Sequence, residues 1–287
     1  MGIRAPISSI YLTNIERIPL SMCCIGGTAI NINFIQCSYG CFYCPWESQI
    51  DARSARVINL DLEILTTALT KYKPDVVFLN GGDLWRFADD VKNILSKIKG
   101  IDVLKGVKVI ACPAPKNIVD AMLDLIKNCD IVLVEIGKCY SISLIYEIVN
   151  HIDNSKHLEF VVVGKNLNEV ENIVGILIEE FVTRSFYVPL NLIPNQFDEN
   201  SIYSFINRVR LKYPLIHTTH SKSSEYSSIL CPSCRLPVVV KQGINVINVY
   251  LDENCRCKFC KNDVVSIGRN ICRARRKIKI PINIPIL

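Results

Sequence analysis

Three thiols crowd the stretch "QCSYGCFYCPWES", at Cys37, Cys41 and Cys44, with the aromatic Tyr43 directly before the last of them. Thiolates bind soft and borderline metals, and a structural site normally closes with four ligands. A trio therefore implies either a missing fourth ligand or a coordination position left open for another molecule. A second group is complete. Cys231 and Cys234 in "CPSC" and Cys257 and Cys260 in "CRCKFC" form two CxxC knuckles separated by 22 residues. This spacing supplies four thiolates to one tetrahedral zinc ion. Cys255 competes with Cys257 for the same role. Fourteen cysteines in 287 residues, with CxxC spacings and no apolar export segment at the start, predict metal binding in a reducing, cytoplasmic setting rather than a disulfide framework.

The elements that must position these thiols are read from periodicity. Short β-branched runs recur at 29–35, 75–80, 107–112, 130–136, 159–164 and 185–191. Between them lie helical patterns such as "DLEILTTALTKY", "PKNIVDAMLDLIKN", "NEVENIVGILIEEF" and "ENSIYSFINRVRLKY". Six strand and helix units in series predict an α/β fold, a parallel sheet wound as a partial (βα)6 barrel of the TIM type. Chemistry in such folds sits at the C-terminal ends of strands, and the Cys37 trio directly follows the first strand. The alternation stops near Thr219. Residues 1–220 are thus expected as the barrel, 221–268 as a zinc-ribbon module and 269–287 as a basic tail.

The net charge of +6 resides entirely in that tail, where Arg269, Arg273, Arg275, Arg276, Lys277 and Lys279 meet no acid. Such a run suits RNA or an acidic protein partner. The apolar "IKIPINIPIL" that ends the chain is unlike a disordered, solvated tail. At 49% hydrophobic residues the chain can bury a large core, yet no run reaches the roughly 18 apolar residues of a membrane span.

CxxxCxxC with an aromatic before the third cysteine resembles the cluster motif of the radical S-adenosylmethionine (SAM) superfamily. The resemblance implies a [4Fe-4S] cluster on Cys37, Cys41 and Cys44. Its open iron would chelate the amino and carboxylate groups of SAM, and an electron from an external donor would cleave SAM to a 5'-deoxyadenosyl radical. "LNGGD" at 79–83 matches the position of the family's GGE motif, so Gly81, Gly82 and Asp83 are the implied SAM contacts, with aspartate in place of the usual glutamate. "EFVVVGKNLNEVENIVGIL" is similar to a strand and glycine turn of the pyruvate formate-lyase activating enzymes. The group most similar over residues 26 to about 268 is the radical SAM component of the AmmeMemoRadiSam system, whose cluster motif also continues into Trp-Glu and a glutamine and which also ends in a cysteine knuckle. The Asp-Leu-Lys of the activating enzymes is replaced here by "VEIGK", with Glu135 and a displaced Lys138.

Other residues compete for roles. Cys23 and Cys24 fit packing better than the cluster mouth. Cys112, Cys129, Cys139 and Cys272 have no partner spacing and fit core or incidental positions. His217 and His220 form an HxxH read as a loop feature, whereas His151 and His157 show no ligand spacing. Trp85 and Arg86 follow "GGD" and face substrate in one reading; Trp46 shields the cluster in another. Three functions follow. The protein is a radical SAM oxidoreductase that abstracts hydrogen from a protein partner, or one that modifies a small molecule or RNA, or a non-enzymatic iron-sulfur and zinc binding module.

Overall fold

The computed structural model describes Ile3, residues 5–35, Cys37, and residues 57–153, 155–219, 221–252, 254–265 and 282–283. Among the described residues, twelve strands form two sheets. The larger has the order β12-β1-β2-β3-β4-β5-β6-β7-β8, with β1 Ile7–Asn14, β2 Thr28–Phe34, β3 Val76–Asn80, β4 Leu104–Ile110, β5 Ile131–Ile136, β6 His157–Asn166, β7 Leu190–Gln196, β8 Ile216–His217 and β12 Ile282–Asn283. From β2 to β8 every pairing is parallel. The helices α1 Leu62–Tyr72, α2 Ala88–Lys97, α3 Lys116–Lys127, α4 Ile142–Asn150, α5 Leu167–Thr183 and α6 Glu199–Arg210 alternate with these strands. The short α7 Ser224–Ser227 leads into a three-stranded antiparallel sheet of β9 Ile229–Leu230, β10 Pro237–Gln242 and β11 Asn245–Val249.

The α/β class expected from periodicity holds, and several helix boundaries are set by local chemistry. Asp61, Ser141, Asn166 and Asp198 each accept a backbone N–H in the first turn of the helix that follows them, which offsets part of the unsatisfied N-terminal donors. The strand expected at 185–191 instead begins at Leu190. Phe186 packs edge-on against Phe181 with ring centroids 4.8 Å apart, so aromatic packing under the sheet removes it from the ladder.

Residues 15–27 tie the start of β2 to β6 and β8. Ile15 N–H donates to Gly27 O and Gly26 N–H to Glu16, closing this segment into a loop. Its tip, Ser21, hydrogen-bonds His217 on β8 and Glu159 on β6. Strand alternation then gives two faces. The outer face packs on the helices in the main core. The inner face joins Ala29, Val76, Phe78, Ile131, Leu133 and Val161 to Ile15, Ile18 and Leu20 of the loop, which forms a floor at the N-terminal ends of the strands. Gly106 on β4 makes this packing fit, because a Cβ there would stand 2.3 Å from the Phe78 ring. β8 and β12 are the two edges of the sheet as described.

Candidate functional site

β2 ends at Phe34, and the half-buried Cys37 follows three residues later. Cys41, Cys44 and Tyr43 lie outside the described residues, as do Trp46, His220, Cys272 and the basic residues of 269–279. On the neighbouring strand, Asn80 stands in register with Asn33, so the GGD turn emerges beside the strand end that leads to Cys37. Gly81 and Gly82 both take positive φ, 75° and 54°, a region natural to glycine. A Cβ on Gly81 would stand 2.6 Å from Phe34 O. The turn therefore rests directly on the end of β2, and only glycine permits that approach. Asn80 Oδ1 accepts the Gly81 N–H at 2.8 Å. The fully buried Asp83 pairs with Arg86 Nε at 2.9 Å, while Trp85 belongs to the main core.

The inner face carries polar residues that spacing alone did not single out. Asn31 and Asn33 on β2, Lys108 on β4, Glu135 on β5 and Asn191 on β7 alternate with outward-facing apolar neighbours. Lys108 Nζ donates to Glu135 at 2.6 Å, with side-chain exposures of 7% and 19%. Asn31 Nδ2 donates to Tyr11 Oη at 2.7 Å and to Asn33 Oδ1 at 2.9 Å, and Asn33 Nδ2 donates to Ser9 Oγ at 2.8 Å. The available signal was a polar residue at every second position of a buried strand, as in "AININF" and "VEI". At the same end of the sheet, Cys112 and Cys139 form a disulfide, which corrects the expectation that they are incidental. Adjacent parallel strands carry the residues after β4 and β5 side by side, although 27 positions separate them in sequence.

Cys231, Cys234, Cys257 and Cys260 meet with their sulfurs all within 4.8 Å of one another, and Cys255 lies outside this quartet. The Cys231–Cys260 and Cys234–Cys257 sulfur pairs are each 3.6 Å apart. Four thiolates ~2.3 Å from a tetrahedral zinc ion stand ~3.8 Å apart, so the residues fit this ion. Burial pushes the Cys231 thiol up to about 12, and the Asn262 backbone N–H brings Cys260 down to about 7. Cys260 thus ionises most readily of the two, and deprotonation is required for metal binding.

At the opposite end of the strands lies a buried polar network. Glu159 accepts the backbone N–H groups of Ser21, Met22 and Cys23 and faces His157 Nε2 at 2.7 Å. His217 is on β8 rather than in a loop. Its Nδ1 lies 3.1 Å from Leu215 O, so Nε2 accepts from Ser21 Oγ. Lys241, from β10, is fully buried, and its charge is favoured by Glu159 and Glu16 while burial lowers its pKa. Cys23 and Cys24 are buried in this floor, at the N-terminal end of β2 and away from Cys37. No helix among the described residues is long and apolar enough to cross a membrane.

No family model matches this chain, and no curated protein matches it. Among solved structures, it is similar to QueE from Escherichia coli, with 13% identity, a TM-score of 0.35, and coverage of 65% of this chain and 92% of that one. At that score the likeness assigns no activity, and the functional reading rests on this chain's own residues.

Proposed function

We propose that the protein is a radical SAM enzyme of the partial-barrel type. The observation that carries this reading is the contact of the Gly81–Gly82–Asp83 turn with the end of β2, three residues before the CxxxCxxC motif begins. Cys37, Cys41 and Cys44 would hold a [4Fe-4S] cluster, Tyr43 would flank it, and the bare backbone of Gly81 and Gly82 would admit the amino end of SAM. When bound, cluster and cofactor supply a 5'-deoxyadenosyl radical at the expense of one electron from an external donor. The protein's share is to orient SAM, exclude water and present a substrate hydrogen. Asp83 differs from a free SAM-binding carboxylate, because Arg86 holds one of its oxygens.

The cysteine quartet is read as a zinc site that stabilises its module, since four thiolates leave no position for substrate. A reducing, cytoplasmic location suits the oxygen-sensitive cluster this reading requires, whereas the Cys112–Cys139 disulfide speaks for an oxidised pair at the same end of the sheet. Of the substrates expected from sequence, a protein partner must thread a segment onto the inner face. The buried polar residues there favour a small molecule.

The test is anaerobic reconstitution of the full chain, then dithionite-driven release of 5'-deoxyadenosine from SAM with iron content measured in parallel. Release by wild type and its loss when Cys37, Cys41 and Cys44 are all changed to alanine is the expected result. A fully loaded protein that neither binds nor cleaves SAM would leave a binding module in place of an enzyme.

A further inference from the structure

Polarity divides the inner face of the sheet along the strands. Toward their N-terminal ends, β2 to β5 present Ala29, Val76, Leu104 and Ile131 to the inside; toward their C-terminal ends they present Asn31, Asn33, Asn80, Lys108 and Glu135, with the apolar Phe78 and Ile110 in register beside Asn31 and Glu135. The fold accepts apolar residues on this face, so packing does not require the polar ones. A largely buried lysine–glutamate pair is also a poor way to stabilise a protein, because the cost of desolvating two charges offsets most of their attraction. Asn31 gives a separate indication. Its Nδ2 is shared between Tyr11 and Asn33, yet Oδ1, fully buried, has no hydrogen-bond partner among the described residues. A buried acceptor left so is matched when a bound molecule brings an N–H or O–H.

Among the described residues the belt pairs one cation with one anion, 2.6 Å apart, beside neutral carboxamides. Its complement carries no net charge but has two opposite charges at close spacing. We infer that the belt receives an amino-acid-type zwitterion as the substrate, its carboxylate toward Lys108, its ammonium toward Glu135, and a further N–H or O–H toward Asn31 Oδ1. Lys108 and Glu135 are then specificity-determining residues. This rests on the radical SAM reading, in which the open iron takes SAM's own amino and carboxylate groups, so that the belt's zwitterion is a second molecule. In the reaction the C5' carbon of the adenosyl radical gains a hydrogen atom. One C–H bond of the amino acid breaks, and the unpaired electron passes to its carbon, with no further oxidant or reductant consumed in that step.

The probe is a uniformly deuterated mixture of L-amino acids, given to the reconstituted full-length protein with unlabelled SAM and dithionite, and the readout is the mass of the released 5'-deoxyadenosine. Wild type is expected to yield product carrying one deuterium. Lys108→Met and Glu135→Gln are each expected to lower the labelled fraction of total product roughly ten-fold or more, the loss that accompanies one charge-assisted hydrogen bond. The exchange variant with both Lys108→Glu and Glu135→Lys keeps an ion pair for folding but reverses its polarity, and its labelled fraction is expected to fall equally. Unlabelled product alone from wild type would overturn the zwitterion while radical chemistry stood. No 5'-deoxyadenosine at all from cluster-loaded protein would overturn the radical reading and this inference with it. A labelled fraction unchanged in the exchange variant would remove the pair from substrate selection.

Discussion

Two residues carry consequences that can be measured without knowing the substrate. His217 is held neutral: burial pushes its pKa down to about 3, and its hydrogen bonds suit the neutral ring, with Nδ1–H donating to Leu215 O and Nε2 accepting from Ser21. In the unfolded chain the same imidazole titrates near 6.5. Between those values the unfolded chain binds a proton that the folded chain refuses, so stability is lost as pH falls below about 6.5. The expected loss from this group is about 2 kcal/mol at pH 5. Thermal unfolding of wild type and His217→Asn across pH 4 to 8 checks it; the variant should have a shallower acid slope, and equal slopes would reject the assignment. Gly81 is the second. With φ at 75° and Phe34 O 2.6 Å from a would-be Cβ, Gly81→Ala should cost roughly 1–3 kcal/mol in urea denaturation. It should also depress 5'-deoxyadenosine release by displacing the turn from β2. An alanine variant of wild-type stability and turnover would show that the two strand ends tolerate separation.

Elements were legible where their signal was local. Five of the β-branched runs overlap β2 to β6, and four amphipathic stretches overlap α1, α3, α5 and α6. β1 was missed because "ISSIYLTN" mixes polar residues into a strand next to the sheet's edge, and β8 and β12 because two residues give no period. The same distinction separates the sites. The cysteine quartet and the GGD turn lie in short contiguous spans, whereas the polar belt draws single residues from several strands and emerges only once register is known. Lys241 was equally hidden, an ordinary surface-type residue in "VVVKQG" that β10 carries into the floor beneath the sheet. Its Nζ has no hydrogen-bond partner among the described residues, yet Glu159 and Glu16 supply the opposing charge. Burial lowers the Lys241 pKa, so Lys241→Met, which keeps the volume and removes an unbonded buried ammonium, should be at least as stable as wild type, while Glu159 keeps its three backbone N–H donors from Ser21, Met22 and Cys23. Urea denaturation checks this; a loss of several kcal/mol in the methionine variant would show that the ammonium charge holds the floor together.

For the whole molecule, the two metal-binding groups should differ in what their loss does to the fold. Of the Cys37 motif, the described residue Cys37 is half-buried against the main core just past β2, so its truncation to alanine removes one partly buried thiol. The cysteine quartet is different, because it fixes the ends of segments whose Ile229, Val238 and Val239 are buried in the main core, and because β10 also carries Lys241. Cutting the chain after Ser228 would consequently strip core residues along with the ligands, and single substitutions are the cleaner perturbation. Replacing Cys37, Cys41 and Cys44 by alanine should remove iron, leave zinc, and shift the melting temperature by no more than about 2 °C, the scale of about 1 kcal/mol in a chain of this size. Replacing Cys231 and Cys257 by serine should remove zinc and lower the melting temperature by roughly 6–12 °C, as a loss on the order of 3 kcal/mol implies. Metal analysis and calorimetry on the two variants read both quantities. Equal thermal shifts would mean that the ribbon is not coupled to the floor through β10, and a cluster variant that melts far below wild type would mean that the open end of the sheet, rather than its floor, holds the fold together.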